Sequence, residues 1–165
     1  MSDGLFVRCY TIFMSSDRFT LPAAVFLILV KDNKTLLMRR AHTGWHDGDF
    51  DLVAGHIDGN ESVKTALARE AHEEMGIAIQ PDKATFIHLM HGLFEDGKEY
   101  FNVFFTVDSW SGEPKIMEPN KCDAVEWFDL DNLPPNLTDS AKRGLEALRA
   151  KEHYSDFGFD KQSDV

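Results

Sequence analysis

The sequence predicts one layered domain that mixes strands and helices, of the α/β or α+β kind. Three observations carry this. Two helical segments stand far apart, over residues 61–75 and 138–151, and apolar, β-rich runs lie before and between them. The chain has 165 residues, which suits a single domain over residues 1–165. Its hydrophobic share is 43%, enough to fill one core and to exclude disorder of the whole chain.

The elements follow in order. Ala24 to Val30 is an unbroken apolar run and reads as a strand buried on both faces. Asp32-Asn33 is a turn, and Thr35 to Arg39 returns as a second strand, which predicts a hairpin. A polar loop spans Ala41 to Gly48, and Phe50 to Val53 is a short strand broken at Ala54-Gly55. Asp58-Gly59-Asn60 turns into a helix from Glu61 to Met75, with Gly76 suited to the left-handed position just past its end. Phe86 to Phe94 and Tyr100 to Val107 are strands around a tip at Glu95 to Lys98, and the apolar stretch Phe101 to Phe105 is a candidate for pairing across a homodimer. A monomer is the alternative. Ser111 to Pro114 is a turn, Ala124 to Phe128 a strand, and Thr138 or Ser140 caps a last helix running to Lys151. The polar tail beyond His153 is expected to be mobile.

Charge and cysteine content narrow the function. A net charge of -11 repels a phosphate backbone, so no nucleic-acid polymer is expected as partner. A phosphorylated small molecule stays compatible when a divalent cation mediates the contact. The two cysteines, Cys9 and Cys122, lie far apart with no partner motif, as in a protein with reduced thiols. His88 and His91 would point to opposite faces of a strand, and no His-Glu-x-x-His occurs. Leu21 to Val30 is too short to span a bilayer and lacks the basic flank of a signal peptide, so no membrane is expected and the cytoplasm is the expected compartment.

The informative segment is Glu61 to Ile77. On a helical wheel with Val63 at zero, Leu67 falls at about +40°, Ala66 at about -60° and Ala71 at about +80°. Glu70 at about -20° and Glu74 at about +20° then sit inside this apolar stripe, with Glu73 at its edge near -80°. Burying unpaired anions there costs several kcal/mol each, at about that order. Two remedies exist: a nearby Arg or Lys, or a hard divalent cation, whose oxygen ligands Glu70, Glu73 and Glu74 could supply together. A plain solvated acidic face is the competing reading, with Arg69 as a simple ion-pair partner.

Spacing favours the metal. From Gly55 the chain reads G-HIDGN-E-SVKTALA-RE-A-H-EE-M-G-I. This resembles the Nudix box, Gly-x5-Glu-x7-Arg-Glu-U-x-Glu-Glu-x-Gly-U with U apolar, at every fixed position over residues 55–77; Ala71 is a small residue where a larger aliphatic is common. The resemblance implies an α/β/α sandwich with a mixed sheet between helices, and Mg²⁺-dependent attack of water on a nucleotide pyrophosphate, with Mn²⁺ as the other cation. It assigns metal binding to Glu70, Glu73 and Glu74, with the Ala54 carbonyl as a further ligand. Gly55, Glu61, Arg69 and Gly76 become structural parts of the motif. Glu70, Glu73 and the loop residue Glu118 are candidates for the base, ahead of Glu95 and Glu99. Arg39 or Arg40, one of which alternation turns inward, and Lys121 are candidate phosphate contacts. Trp45, Phe50 and Trp127 are candidates for base stacking or for core.

On substrate, the family's ADP-ribose hydrolases often carry a proline about fifteen residues past the box, where this chain has His91 to Phe94. Dinucleotide polyphosphate hydrolases often place a tyrosine there, but the nearest is Tyr100. Both departures lean toward a (deoxy)nucleoside triphosphate, including oxidised forms such as 8-oxo-dGTP. A catalytically silent nucleotide sensor, a hydrolase of ADP-ribose, dinucleotide polyphosphates or nucleotide sugars, and a non-enzymatic acidic docking module are the alternatives.

Overall fold

The computed structural model describes residues 19–162, so Cys9 lies outside the described residues. Among these residues nine strands and two α-helices follow in order: β1 (Ala23–Ile28), β2 (Val30–Lys31), β3 (Lys34–Arg40), β4 (Phe50–Asp51), β5 (Val53–His56), α1 (Val63–Met75), β6 (Thr85–Leu93), β7 (Glu99–Thr106), β8 (Cys122–Asp129), α2 (Asp139–Ala150) and β9 (Tyr154–Phe157). One sheet runs β5-β1-β7-β6-β9, with β1–β7 and β6–β9 parallel and the other pairs antiparallel. In the second, β3 is central, flanked by β8 on one side and by β2 and β4 on the other.

Strand β1 explains why the helices lie on opposite sides. Val25, Leu27 and Leu29 face one core with Ala66, Leu67, Ala71 and Met75 of α1, while Ala24, Phe26 and Ile28 face a second core with Ala141 and Leu145 of α2. Period-two alternation in an all-apolar strand thus gives each layer its own half of the side chains. The result is the expected α/β/α sandwich. Helix α2 approaches so closely that a Cβ at Gly144 would lie 2.4 Å from the Phe104 ring.

Four expectations need correction. The Asp32-Asn33 turn has both residues at positive φ, 51° and 59°, but the strand it folds onto β3 is the two-residue β2. Strand β1 has no side that is polar, and both its edges are taken by β5 and β7 in the other sheet. Ala54-Gly55 does not break a strand; the break falls at Leu52, and Ala54 and Gly55 lie within β5. The segment past His153 forms β9, whose Ser155 is buried against His88 (Oγ to Nε2, 2.8 Å). Strand β7, offered for a dimer, is interior to its sheet, between β1 and β6.

Candidate active site

Helix α1 is delimited by its own sequence. The Ser62 side chain accepts from the Thr65 N–H at the start, and Gly76 closes the end at φ 66°. The carbonyls left over at that end do not face solvent. Lys115 N–H donates to Met75 O (3.1 Å) and Met117 N–H to Glu74 O (3.1 Å), so the strap after Gly112 is tied across the helix terminus. This tie brings Glu118, next in sequence, toward the acidic face of α1.

The helix carboxylates are then placed by backbone and by Arg69. The Ala54 N–H donates to Glu74 Oε2 at 3.0 Å. Glu70 lies flat against β5: a Cβ at Gly55 would fall 2.0 Å from its carboxyl carbon, so only a glycine leaves room for it. Arg69 donates to Glu61 (2.7 Å), Glu70 (2.6 Å), Glu73 (3.1 Å) and the His56 carbonyl (3.0 Å). Glu61 in turn accepts from the Asp58 N–H at 2.8 Å, which fixes the loop into α1. One guanidinium therefore joins the loop, the helix and the end of β5, the fork geometry for which Arg is suited.

Electrostatics mark three of these groups. Burial pushes the Glu74 carboxyl up to about 8, against the smaller opposing effect of the Ala54 N–H, with Glu70, Asp51 and Glu118 adding repulsion. Glu70 is also raised, first by burial, with Arg69 opposing and Glu73 and Glu118 adding to it. Glu61, bonded to Arg69, is held below the usual range.

A cavity of about 330 Å³ opens on the other side of β5. Ala54, Gly55 and His56 form its edge toward the carboxylates, Arg40 and Trp45 one wall, Phe94, Lys98 and Tyr100 of the β6–β7 hairpin another, and Asp51, Asn102 and Ser140 its polar lining. Asp51 is 4% exposed and Asn102 3%. Burial raises the Asp51 carboxyl to about 6 despite bonds from Thr138 and Leu52 N–H and the charge of Arg40.

The remaining sequence candidates separate. Arg40 lines the cavity, whereas Arg39 turns away into a two-bond pair with Asp123 (2.7 and 3.0 Å) and does not line it. Trp45 lines the cavity, but Phe50 does not: it is a core residue, 7% exposed, set edge-on to Phe128 at 4.8 Å. Alternation along β4 gives Phe50 to the core and Asp51 to the cavity. Trp127 stacks on Trp110. Lys121 is paired with Glu118 at 2.9 Å, and Glu99 with His91 at 2.7 Å. Sequence reasoning missed Asp51 and Asn102 as lining groups. The available signal was a lone polar residue inside each of two apolar runs, Phe50–Val53 and Phe101–Phe105.

A family model described as the NUDIX domain matches residues 20–148. The chain belongs to the Nudix family. It is 32% identical over 129 residues to an ADP-ribose pyrophosphatase of Methanocaldococcus jannaschii, covering 78% of this chain and 73% of that one. It is 27% identical over 117 residues to the 8-oxo-dGTP diphosphatase of Escherichia coli, covering 70% of this chain and 88% of the relative. The crystal structure of a MutT Nudix hydrolase from Burkholderia pseudomallei superposes with a TM-score of 0.73 at 30% identity, over 79% of this chain and 99% of that one. As a Nudix hydrolase the chain is a pyrophosphohydrolase of a family that acts on small nucleotides, generally with divalent metals.

The donor set can be tested against such a cation. Among the described residues no three His, Cys, Asp or Glu side chains converge as a metal-binding group. Arg69 Nη1 holds both Glu70 and the half-exposed Glu73, while Glu74 is tied to β5 by the Ala54 N–H and Glu70 lies against Gly55, so Glu70 and Glu74 meet β5 and Glu73 stays on the rim. Mg²⁺ is commonly held by one or two carboxylates, with waters and substrate phosphates completing its octahedron, and burial raises both Glu70 and Glu74, of which Arg69 offsets only Glu70. The residues fit the group. No helix among the described residues is long and apolar enough to cross a membrane.

Proposed function

We propose that this Nudix hydrolase cleaves the pyrophosphate bond of a purine (deoxy)nucleoside triphosphate, oxidised forms such as 8-oxo-dGTP included. The observation that supports it is the meeting on one strand, β5, of the Glu70–Glu74 pair and a cavity of about 330 Å³. That volume lies at the small end of ordinary ligand sites, which run from about 300 to 1,000 Å³. Buried acceptors on the lining, Asp51 and Asn102, suit a base edge that carries N–H donors, as guanine does. In this reading Glu70 and Glu74 would hold Mg²⁺, or Mn²⁺ in its place, and Glu73 and the Ala54 carbonyl would be further ligands.

A bound Mg²⁺ neutralises phosphate oxygens and lowers the pKa of water. The protein's own groups do the rest. Arg69 keeps Glu70 against β5 and holds Glu73 at the rim. Glu118 is the favoured base among Glu70, Glu73 and Glu118, since the other two share Arg69 while Glu118 is paired with the half-exposed Lys121. The phosphates would lie across β5, with the base in the cavity between Trp45 and Tyr100.

The name of the M. jannaschii relative supports a second reading, ADP-ribose, in which the same bond type is cut. A panel of nucleoside triphosphates, 8-oxo-dGTP, ADP-ribose, dinucleotide polyphosphates and nucleotide sugars, with and without Mg²⁺, separates the two. Metal-dependent release of a nucleoside monophosphate and pyrophosphate, abolished in Glu74→Gln, is the expected result. Release of AMP and ribose phosphate from ADP-ribose alone would install the second reading. Nucleotide binding without any turnover would make the chain a sensor.

A further inference from the structure

The candidate phosphate contact Arg40 uses its donors in another direction. Its Nε donates to the Trp45 carbonyl at 3.0 Å and its Nη2 to Thr43 Oγ1 at 3.2 Å, both within the loop that follows β3. The guanidinium carbon lies 4.6 Å from the centre of the Trp45 ring, a stacked cation–π pair. Nη1 lies 3.7 Å from Asp51 Oδ2. Asp51 is itself rigid, 4% exposed with its Oδ1 accepting the Leu52 N–H at 2.8 Å. A guanidinium committed in this way joins the fixed floor of the cavity to the exposed ring on its wall.

The loop holds that ring on one edge only. Asp47 ties Thr43 and Gly44 by their N–H groups at 2.9 and 3.0 Å, which shapes the turn, but Trp45 remains 42% exposed. Its ring contacts are Arg40 on the cavity wall and the edge of His46 at 4.2 Å. Without Arg40 the indole would lose the cation over its ring and keep the edge contact of His46, and a base would have to order it further on binding, which lowers affinity.

We propose that Arg40 is a positioning residue: anchored on Asp51, it fixes Trp45 as the stacking wall of the cavity, and so sets affinity for the base without acting on the phosphates. This rests on the reading that the cavity receives the nucleoside. The discriminating variant is Arg40→Lys, which keeps the charge and the aliphatic stem but loses the planar fork and the stack. A phosphate contact would be largely rescued by Lys; a strut for Trp45 would not.

Two measurements test it. In an amide and indole ¹⁵N spectrum of the ligand-free protein, the three tryptophans give three indole N–H signals, and Trp45→Phe assigns one of them. Arg40→Lys and Asp51→Asn are expected to shift the Trp45 signal while those of Trp110 and Trp127 stay in place, which also reports that the variants are folded. In steady-state kinetics on the best nucleotide of the panel, Arg40→Lys is expected to raise KM about tenfold with a much smaller change in kcat. An unmoved Trp45 signal, a wild-type KM in Arg40→Lys, or a fall confined to kcat would each overturn the proposal. Failure of the wild type to bind any nucleotide would instead overturn the reading of the cavity, and the two are separable because the indole spectrum needs no ligand.

Discussion

Glu74→Gln should make the metal-free protein more stable at high pH while abolishing turnover. Burial raises the Glu74 carboxyl to about 8 from an ordinary 4.5. A carboxyl raised on folding is favourable in its protonated form, so its stabilising contribution is whole below about pH 4.5 and lost as pH climbs through about 8. Each pH unit inside that window removes about 1.4 kcal/mol. Between about pH 6 and about pH 9 the wild type should therefore lose on the order of 2–3 kcal/mol that Glu74→Gln does not lose. That is a large part of the stability of a small domain, about 5–15 kcal/mol. The glutamine keeps an oxygen for the Ala54 N–H, so the variant should fold. Urea unfolding in a chelating buffer across this range measures the difference, and added Mg²⁺ should flatten the wild-type curve because the cation takes the place of the proton. Parallel curves for the two proteins in chelator would refute the reasoning.

Three other changes have definite directions. Gly55→Ala would place a methyl 2.0 Å from the Glu70 carboxyl carbon, the mobile end of a side chain, so the fold should survive with a melting temperature within a few degrees of the wild type. Its kcat/KM on the same nucleotide should fall about 10- to 100-fold, since Glu70 must leave β5. Gly144→Ala drives a methyl to 2.4 Å from a Phe104 ring carbon inside the core and should cost about 1–3 kcal/mol in urea unfolding, with residual activity in the folded fraction. Ser155→Ala removes the partner of His88 Nε2 (2.8 Å) and of Arg143 Nε (3.0 Å), and should destabilise by about 1–3 kcal/mol in the same measurement.

The parts of the molecule set by local spacing were legible. The carboxylates of α1, its Gly76 end and the two-sided burial of β1 all follow from side-chain periodicity within one element. What was not legible was pairing between elements. An all-apolar β1 carries no preferred face, so nothing in it told whether β3 would pair with it or lie in a second sheet. Strand β9 escaped notice because only Ser155 of its four residues is buried, and an edge strand is held by backbone bonds to β6 that leave polar side chains in solvent. Phe50 suits stacking and core equally by residue type, and it is the pleat of β4 that decides, sending Phe50 inward and its acidic neighbour Asp51 to the cavity. Glu118 was visible as a candidate, but the strap that carries it to the end of α1 is made of backbone bonds from Lys115 and Met117.

The break at Leu52 has a further consequence. One short run of chain pairs with β3 in one sheet as β4 and, two residues later, with β1 in the other as β5. The cavity sits over this crossing, bounded by Arg40 from one sheet, by Asn102 from the other and by Ser140 from α2. A molecule held there acts as a rivet: it cannot be released by opening either sheet alone without losing contacts to the other. Binding energy should therefore appear in full as resistance to global unfolding, growing with the logarithm of ligand concentration. Melting curves recorded with candidate nucleotides in chelator would rank them by affinity for the cavity before a single bond has been cut.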